Sequence, residues 1–374
     1  MRSISFFFLA FALLSNFSKT CLGELNDTKS LTENPSAFIE SNIKEKFTFS
    51  GFAYFYNSVR YAIVHEDVVE PIQGDGTYSL GPDERFVAIG RFKVLIMSSA
   101  GGEVTFLDDM KTIQIKEGEA SPSVEIVEKS DLAGIDPVLD ELRYGHMPMV
   151  LAKLCKLVEA ALVFLNRNLV SNWGLTIIAY AFLLKVLLIP LDIFTSRVQR
   201  TVGEQKNLLE PRIKEIKSNF KGEKAHNKIV ALHKELGISS FYALKPMFGL
   251  FIKIPILIAT FNALGEMPQF LEQPFLWISD LAYPDSVYSF PLHIPLLGNS
   301  INALPFVMTI VTIFSTVKFN DQSASESEMR AQKSNLYFMA VAFLVLFYPF
   351  PAAMVLYWTM TNVFQAIQQQ ILKC

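Results

Sequence analysis

Two hydrophobic periodicities divide the chain. Over residues 24–130, short apolar segments separated by Gly, Asp and Pro are typical of strands. The predicted strands lie at residues 47–56, 59–64, 85–97, 103–107, 111–116 and 123–127. The pattern predicts a small antiparallel β sandwich, and no nucleophile, metal or phosphate motif occurs in it.

A helical period begins after residue 136. Apolar positions at 150, 151, 154, 158, 161, 162 and 165 are spaced for one helix face, with charged residues on the other faces. We predict an amphipathic helix that, together with a linker, occupies residues 131–170 and lies in the membrane interface. The charges distributed through this helix disfavour a membrane span.

Five further hydrophobic regions follow, at residues 173–191, 243–264, 301–317, 336–350 and 352–367. The last two are short and are separated by a turn at residues 348–351, which predicts a helical hairpin. The chain is 51% hydrophobic with a mean hydropathy of +0.31, too apolar for an ordinary soluble protein. We therefore predict a mostly α, polytopic membrane protein whose residues 171–374 form a core of five spans.

The charges of the connecting loops predict an orientation. Lys and Arg recur through residues 192–240 and are absent between residues 267 and 300. The positive-inside rule places the first loop in the cytoplasm and the second outside, which puts the β domain on the periplasmic side. Helical patterns at 204–221 and 223–236 predict a charged cytoplasmic hairpin. Its cations, including Arg212, Lys214 and Lys217, suit either a docking role or a solvated connector that binds lipid headgroups.

The first 23 residues combine Arg2, an apolar run over residues 4–14 and a polar stretch that ends in small residues. A run of about 11 residues suits a signal peptide better than a span of about 20 residues. An uncleaved anchor is the alternative. The segment lacks the repeated arginines of a mitochondrial presequence, which favours a bacterial envelope protein.

Side chains suited to covalent chemistry or metal binding are scattered along the sequence. The three cysteines lack CxxC spacing, and His226 and His233 do not make an HExxH site. His146 and His293 are isolated in sequence, and each histidine is expected to be a surface or interfacial residue. We predict no catalytic residue, no metal site and no cofactor.

Two lysines interrupt the hydrophobic regions. Lys185 lies about 12 residues, or roughly 18 Å of helix, past the start of the run 173–191, and Lys253 lies in the next region. No Asp or Glu occurs within 173–191 to pair with Lys185. A charge at bilayer depth costs about 2.5–3.5 kcal/mol, so it usually faces protein or water. We predict a wet, positively charged cavity around two unpaired lysines; snorkelling of Lys185 to the cytoplasmic interface is the alternative.

Milder polar residues recur at helical spacing in two of the other hydrophobic regions. They are Thr309, Thr312 and Thr316, followed by Thr359, Asn362 and Gln365. These side chains either line the same cavity or form interhelical hydrogen bonds worth about 0.6–2 kcal/mol each.

Short motifs occur in a fixed order over residues 142–372. They are Asn172-Trp173-Gly174-Leu175, Lys185 with Pro190-Leu191, Leu209-Glu210-Pro211-Arg212-Ile213-Lys214, Ile252-Lys253-Ile254-Pro255-Ile256, Phe275-Leu276-Trp277-Ile278-Ser279-Asp280-Leu281, Phe350-Pro351-Ala352, Leu356-Tyr357-Trp358 and Asn362. Each motif is weak alone. Taken together, the motifs make the chain resemble the YidC/Oxa1/Alb3 family of membrane protein insertases, and in particular a bacterial YidC-like member.

The resemblance implies a five-helix insertase core around a hydrophilic groove that opens to the cytoplasm and to lipid. Lys185 stands where the family has an arginine, which keeps the charge but loses the planar guanidinium. Lys253 stands where close relatives usually have an uncharged glutamine. Residues 239–244 depart from the family's Asn-Pro-Leu-Gly-Gly-Cys stretch, which indicates a divergent member.

The function implied by the resemblance is the insertion and folding of nascent integral membrane proteins in the bacterial inner membrane, without covalent catalysis. Expected partners are nascent membrane proteins and membrane lipids, with the Sec translocon and the ribosome as further candidates and no direct contact with nucleic acid. A small-solute transporter or anion channel using the same lysines is one alternative, although inverted repeats are not detected. An assembly scaffold beside the secretion channel is another.

Overall fold

A computed structural model of the chain describes residues 28–44, 58–66, 68–98, 100–118, 122–239, 241–242, 245, 247–294, 298–318 and 326–372. The predicted N-terminal segment 1–23 and the predicted strand at 47–56 lie outside these residues. The described parts of residues 1–40, 61–88 and 94–127 form one compact unit, and those of 41–60, 89–93 and 128–374 form a second.

Two sheets occupy the described residues between 60 and 128. Their strands are β1 Arg60–His65, β2 Val68–Pro71, β3 Gly76–Ser79, β4 Glu84–Ile89, β5 Lys93–Ser98, β6 Glu103–Leu107, β7 Thr112–Lys116 and β8 Ser123–Glu128. The orders are β2-β1-β4-β5-β8 and β3-β6-β7, and β1–β2, β3–β6 and β6–β7 pair antiparallel. A β-rich region with antiparallel sheets is therefore confirmed. Two short helices precede it, α1 Thr28–Glu33 and α2 Pro35–Asn42.

Aromatic rings join the two sheets in the first unit. The ring of Phe106 on β6 lies 5.0 Å from Tyr61 on β1 and 6.2 Å from Phe86 on β4, measured between centroids. Phe86 and Phe106 are fully buried. Burial alternates along β6 and β7, as expected of strands with one face on a core.

The prediction of a single strand over residues 85–97 is wrong. A turn at Gly90 divides this segment into β4 and β5, and the Gly90 amide donates to the Lys93 carbonyl at 2.9 Å. A Cβ on Gly90 would lie 2.3 Å from the Ile43 carbonyl oxygen, so only glycine fits there. The apolar residues on both sides of the turn had hidden it in the sequence. The strands β2 and β3 were not predicted.

The second unit is mainly helical. Its helices are α3 Leu132–Ile135, α4 Pro137–Glu141, α5 Met149–Asn168, α6 Trp173–Asn219, α7 Gly222–Glu235, α8 Met247–Glu266, α9 Leu304–Lys318, α10 Glu326–Phe347 and α11 Ala352–Leu372. An additional hairpin, β9 Ser286–Ile294 with β10 Gly298–Asn302, lies in the loop before α9 and was not predicted. The mostly helical character of the chain is confirmed.

Helix α6 continues for 47 residues from the predicted first span into the predicted hairpin. It begins where the Asn172 side chain accepts a hydrogen bond from the Leu175 amide at 3.1 Å. Pro190 and Pro211 lie inside it. Residues 192–203, between the predicted span and the predicted hairpin helix, are therefore helical as well, although their Thr, Val and Gly residues have low helix propensity.

Helix α6 is the one helix among the described residues that is both long and apolar enough to cross a membrane. Shorter apolar helical stretches lie at Leu304–Phe314 and Tyr337–Phe347. The helices α8, α9, α10 and α11 overlap the other four predicted regions with shifted ends. The number of spans remains a prediction.

Helix α11 lies at the centre of the helical unit, packed against α6 and α9. Helix α5 packs against α8 and α6 through a buried face that includes Cys155, Val158, Leu162 and Leu165. The predicted amphipathic helix is therefore present, and its position at a membrane interface remains a prediction. These contacts bring polar residues of α6, α8, α9 and α11 together.

Candidate functional site

Asp192 joins Lys185 and Lys253, the two lysines that interrupt the hydrophobic regions of the sequence. The Lys185 ammonium donates to Asp192 Oδ2 at 2.8 Å, and the Lys253 ammonium donates to Asp192 Oδ1. The side chains of Asp192 and Lys185 are 9% and 12% exposed, whereas that of Lys253 is 36% exposed. One buried carboxylate therefore bridges a cation on its own helix, α6, and a cation on α8.

The prediction that the two lysines are unpaired is wrong. Asp192 immediately follows the apolar run 173–191, so a search confined to that run does not include it. It lies seven residues after Lys185, a spacing that returns to the same helix face after two turns. This spacing is the sequence signal that would have found the partner.

Gln365 on α11 completes this cluster. Its side-chain oxygen accepts a second hydrogen bond from the Lys185 ammonium. Three residues earlier on α11, the Asn362 amide donates to Thr312 Oγ1 on α9 at 2.8 Å. Residues three apart are neighbours on a helix surface, so Asn362 and Gln365 make a continuous polar row. We name Lys185, Asp192, Lys253 and Gln365 the lysine–carboxylate cluster.

The other predicted polar residues behave differently. The hydroxyls of Thr309, Thr312 and Thr359 donate to the carbonyls of Pro305, Met308 and Val355, four residues earlier in their own helices, at 2.7–2.8 Å. Thr359 is 4% exposed. The side chain of Thr316 lies outside the described residues. Interhelical hydrogen bonding therefore accounts for the Thr312–Asn362 pair, while Thr309 and Thr359 satisfy their hydroxyls locally.

A recess of about 160 Å³ lies beside Lys185, between α6 and α11. Its lining residues are Phe182, Lys185, Val186, Ile189, Phe364, Ile367, Gln368 and Ile371. The Gln368 side-chain oxygen is buried without a hydrogen-bond partner among the described residues. The surface of the recess is therefore apolar: Lys185 lines it with the aliphatic part of its side chain, and the Gln368 oxygen is buried beneath it.

The charged hairpin has a small core of its own. Leu209 of α6 packs with Leu232 of α7 and with Ile238. The predicted docking residues Arg212, Lys214 and Lys217 are exposed, and the first two form ion pairs with Glu235 and Glu210 at 3.7 and 3.5 Å. Exposed pairs of this kind contribute little to stability, so the three cations remain accessible to a partner.

A second ionic cluster surrounds Glu266 at the last residue of α8. Its carboxylate accepts from the Lys129 ammonium and lies 3.7 Å from the Arg60 guanidinium and 3.4 Å from His146 Nε2. Lys129 and Glu266 are nearly fully buried, at 3% and 6% exposure. Burial lowers the pKa of Lys129 to about 8. We name these four residues the Glu266 cluster, which was not predicted from the sequence.

His146 is solvent-exposed, as predicted, and its ring is also a member of the Glu266 cluster. Arg60 donates to its Nδ1. A guanidinium only donates hydrogen bonds, so Nδ1 is the acceptor and Nε2 carries the proton that faces Glu266. Burial, together with the nearby charges of Arg60 and Lys129, lowers the pKa of His146 to about 4, although Glu266 opposes the shift.

Comparison with known proteins gives one family match. The model of the family described as "60Kd inner membrane protein" matches residues 164–374. A "Membrane protein insertase YidC" from Chlorobium luteolum is 31% identical over 211 residues, which cover 56% of this chain and 34% of the relative. The protein of the same description from Chlorobaculum tepidum is 30% identical over 202 residues, covering 54% and 32%.

A solved structure described as an active YidC insertase with its first transmembrane domain resolved also aligns with this chain. The alignment covers 83% of this chain and 82% of that one, at 15% identity and a TM-score of 0.40. The chain spans about a third of the length of the curated relatives it matches. Those relatives are named as insertases, and neither the transporter nor the channel alternative gains support.

Proposed function

Because the chain belongs to the 60Kd inner membrane protein family, we propose that it inserts nascent membrane proteins into the bacterial inner membrane and assists their folding. The observation that supports this most directly is the lysine–carboxylate cluster, in which polar side chains of three helices meet beside an apolar recess. Insertion requires no covalent step, and we propose none.

The physical problem in insertion is to move a polar segment through hydrocarbon. Each unsatisfied polar group there costs several kcal/mol, and a charged side chain costs about 2.5–3.5 kcal/mol or more. Partway across, the cluster offers ammonium donors, and the row from Gln365 to Asn362 offers amide groups. A translocating segment that exchanges water for these partners meets a lower barrier than in lipid alone.

The recess between α6 and α11 supplies a path toward lipid. Phe182, Val186 and Ile367 line it and remain exposed on the helix surfaces. An apolar client helix would lie against these side chains after its polar segment has passed.

The orientation follows from the loop charges. We propose that the hairpin 192–240 faces the cytoplasm, where Arg212, Lys214 and Lys217 receive a nascent chain delivered by the ribosome or the Sec translocon. The β-rich domain 24–130 would then face the periplasm. Residues 131–170 would connect it to the core 171–374 along the membrane interface, and residues 1–23 would target the chain.

Reconstitution into liposomes tests the proposal. The client is a single-span protein whose translocated tail carries two Asp residues. Lys185→Glu should lower its insertion by about tenfold, equivalent to ~1.4 kcal/mol of barrier, whereas Lys185→Arg should retain most activity.

Lys116→Glu, a charge reversal at an exposed residue of the β unit, is the matched control. Insertion no higher than in protein-free liposomes would contradict the function. Equal insertion by the wild type and the Lys185→Glu variant would contradict the role of the cluster.

A further inference from the structure

Asp192 satisfies both lysines in the absence of a client. Its two oxygens are divided between them, Oδ2 with Lys185 at 2.8 Å and Oδ1 with Lys253. No backbone amide among the described residues donates to this carboxylate. It is therefore held by two flexible side chains rather than by a rigid backbone cradle.

This arrangement changes how the site would meet an acidic client. Two ammonium groups and one carboxylate leave a net charge of +1, and both cations are already engaged. A client carboxylate that pairs with either lysine therefore competes with Asp192 for the same positive charge. Exchange of one carboxylate for another keeps each lysine paired, which matters because an unpaired charge at this depth is expensive.

We propose that Asp192 is a resident competitor anion that sets the preference of the groove for acidic client segments. The proposal rests on the proposed insertase function. The incoming carboxylate would first engage Lys253, the more exposed of the two cations, while Asp192 stays on Lys185. Gln365 also holds Lys185, so this ammonium keeps a partner throughout the exchange.

A role as a specificity-determining residue differs from a purely structural role. A structural brace would affect all clients alike. A competitor affects acidic clients selectively, and its removal should strengthen their binding even though it removes an ion pair from the protein.

The test measures equilibrium binding of two tail peptides to the purified full chain in detergent, one peptide with two Asp residues and one with two Asn residues. The same tails are then followed through insertion in liposomes. The readout is the affinity for the Asp peptide divided by the affinity for the Asn peptide. A general loss of folded protein lowers both affinities equally and leaves this ratio unchanged. Glu204→Gln, at an exposed carboxylate on the same helix paired with Arg200 at 3.3 Å, is the matched control.

Asp192→Asn should raise the ratio about threefold or more, because two lysines become available to the acidic peptide. Lys253→Gln should lower the ratio, since Asp192 then neutralises the single remaining lysine. The double variant Asp192→Asn/Lys253→Gln has one cation and no anion, so its net charge of +1 equals that of the wild type. If Asp192 competes with the client, the ratio for this variant should exceed that of the wild type. The variant also folds with one unpaired lysine instead of two.

An unchanged ratio in Asp192→Asn would overturn the proposal and assign Asp192 a structural role. A double variant equal to wild type would also overturn it, because net charge alone would then explain the preference. Ratios that follow the prediction without insertion of either tail would support the competitor role and refute the insertase function instead.

Discussion

Replacing Glu266 by Gln removes the carboxylate that pairs with Lys129 and lies near Arg60 and His146. Removal of one partner from a buried ion pair typically costs about 3–5 kcal/mol, because the other charge is left desolvated and uncompensated. The exposures of 6% for Glu266 and 3% for Lys129 place this pair in that class. We expect Glu266→Gln to lower the free energy of unfolding by about 3–5 kcal/mol at pH 7.

The loss should depend on pH in a defined direction. Lys129 has a pKa of about 8 in the folded protein and 10.5 in the reference state, so above pH 8 it folds uncharged with or without Glu266. Below pH 8, Glu266 stabilises the charged form of Lys129 in the wild type, and the variant lacks this stabilisation. The deficit of the variant should therefore shrink by about 1.4 kcal/mol between pH 7 and pH 9, since one pH unit of protonation corresponds to ~1.36 kcal/mol.

The assay is a denaturing-detergent titration of the purified protein in mixed micelles at both pH values. Glu204→Gln, which removes a carboxylate from an exposed ion pair, should cost less than about 1 kcal/mol. The double variant Lys129→Met/Glu266→Gln should recover much of the loss, because the fully buried Lys129 charge is then absent and Arg60, at 27% exposure, retains contact with solvent. A loss below about 1 kcal/mol for Glu266→Gln, or no recovery in the double variant, would refute the reasoning.

Three further outcomes are expected. The pKa of His146, lowered to about 4, means that the unfolded state binds its proton first as the pH falls from 6.5 to 4. Stability should decline over this window, and His146→Gln should remove ~2.4 kcal/mol of the decline in melts at pH 7 and pH 4.5. A Cβ at Gly174 would lie 2.1 Å from a packed aromatic ring, so Gly174→Ala should cost about 1–3 kcal/mol of unfolding free energy. Gly203→Ala on the same helix, where no atom lies within 4 Å, should stabilise by about 0.5–1 kcal/mol; equal effects at both glycines would refute the packing argument. A double-mutant cycle between Asn362→Ala and Thr312→Val should give a coupling of about 0.6–1.7 kcal/mol, and zero coupling would argue against the 2.8 Å hydrogen bond.

The helical regions were predictable because their periodicity extends over many residues. The amphipathic pattern predicted α5 almost to its ends, since its buried side recurs every three or four residues. The boundary inside α6 was misplaced because a change from apolar to charged composition resembles the end of a helix. Residues 192–203 also include Thr, Val and Gly, which have low helix propensity, so local composition did not reveal that the helix continues through them.

The candidate site was predictable in part. A lysine within a long apolar segment indicates a functional site, because a charge at bilayer depth has a high free-energy cost. Lys185 and Lys253 could therefore be selected from the sequence. Asp192 was missed because it lies just outside the apolar run, although its spacing from Lys185 places both on one helix face. The Glu266 cluster could not be found this way, because Lys129 and Glu266 are 137 residues apart and no local pattern links them.

The central claim is that the polar segment of a client occupies the space beside the lysine–carboxylate cluster during insertion. The most direct measurement places a photocrosslinking amino acid at position 365 and exposes the protein to a ribosome-stalled membrane protein with a short polar tail. The same group at position 338 is the control, because Phe338 is 72% exposed on a helix outside the cluster. Crosslinks from position 365 to the polar tail, absent or much weaker from position 338, are the predicted result. Crosslinks of equal strength from both positions, or none from position 365 while the client still inserts, would contradict the claim.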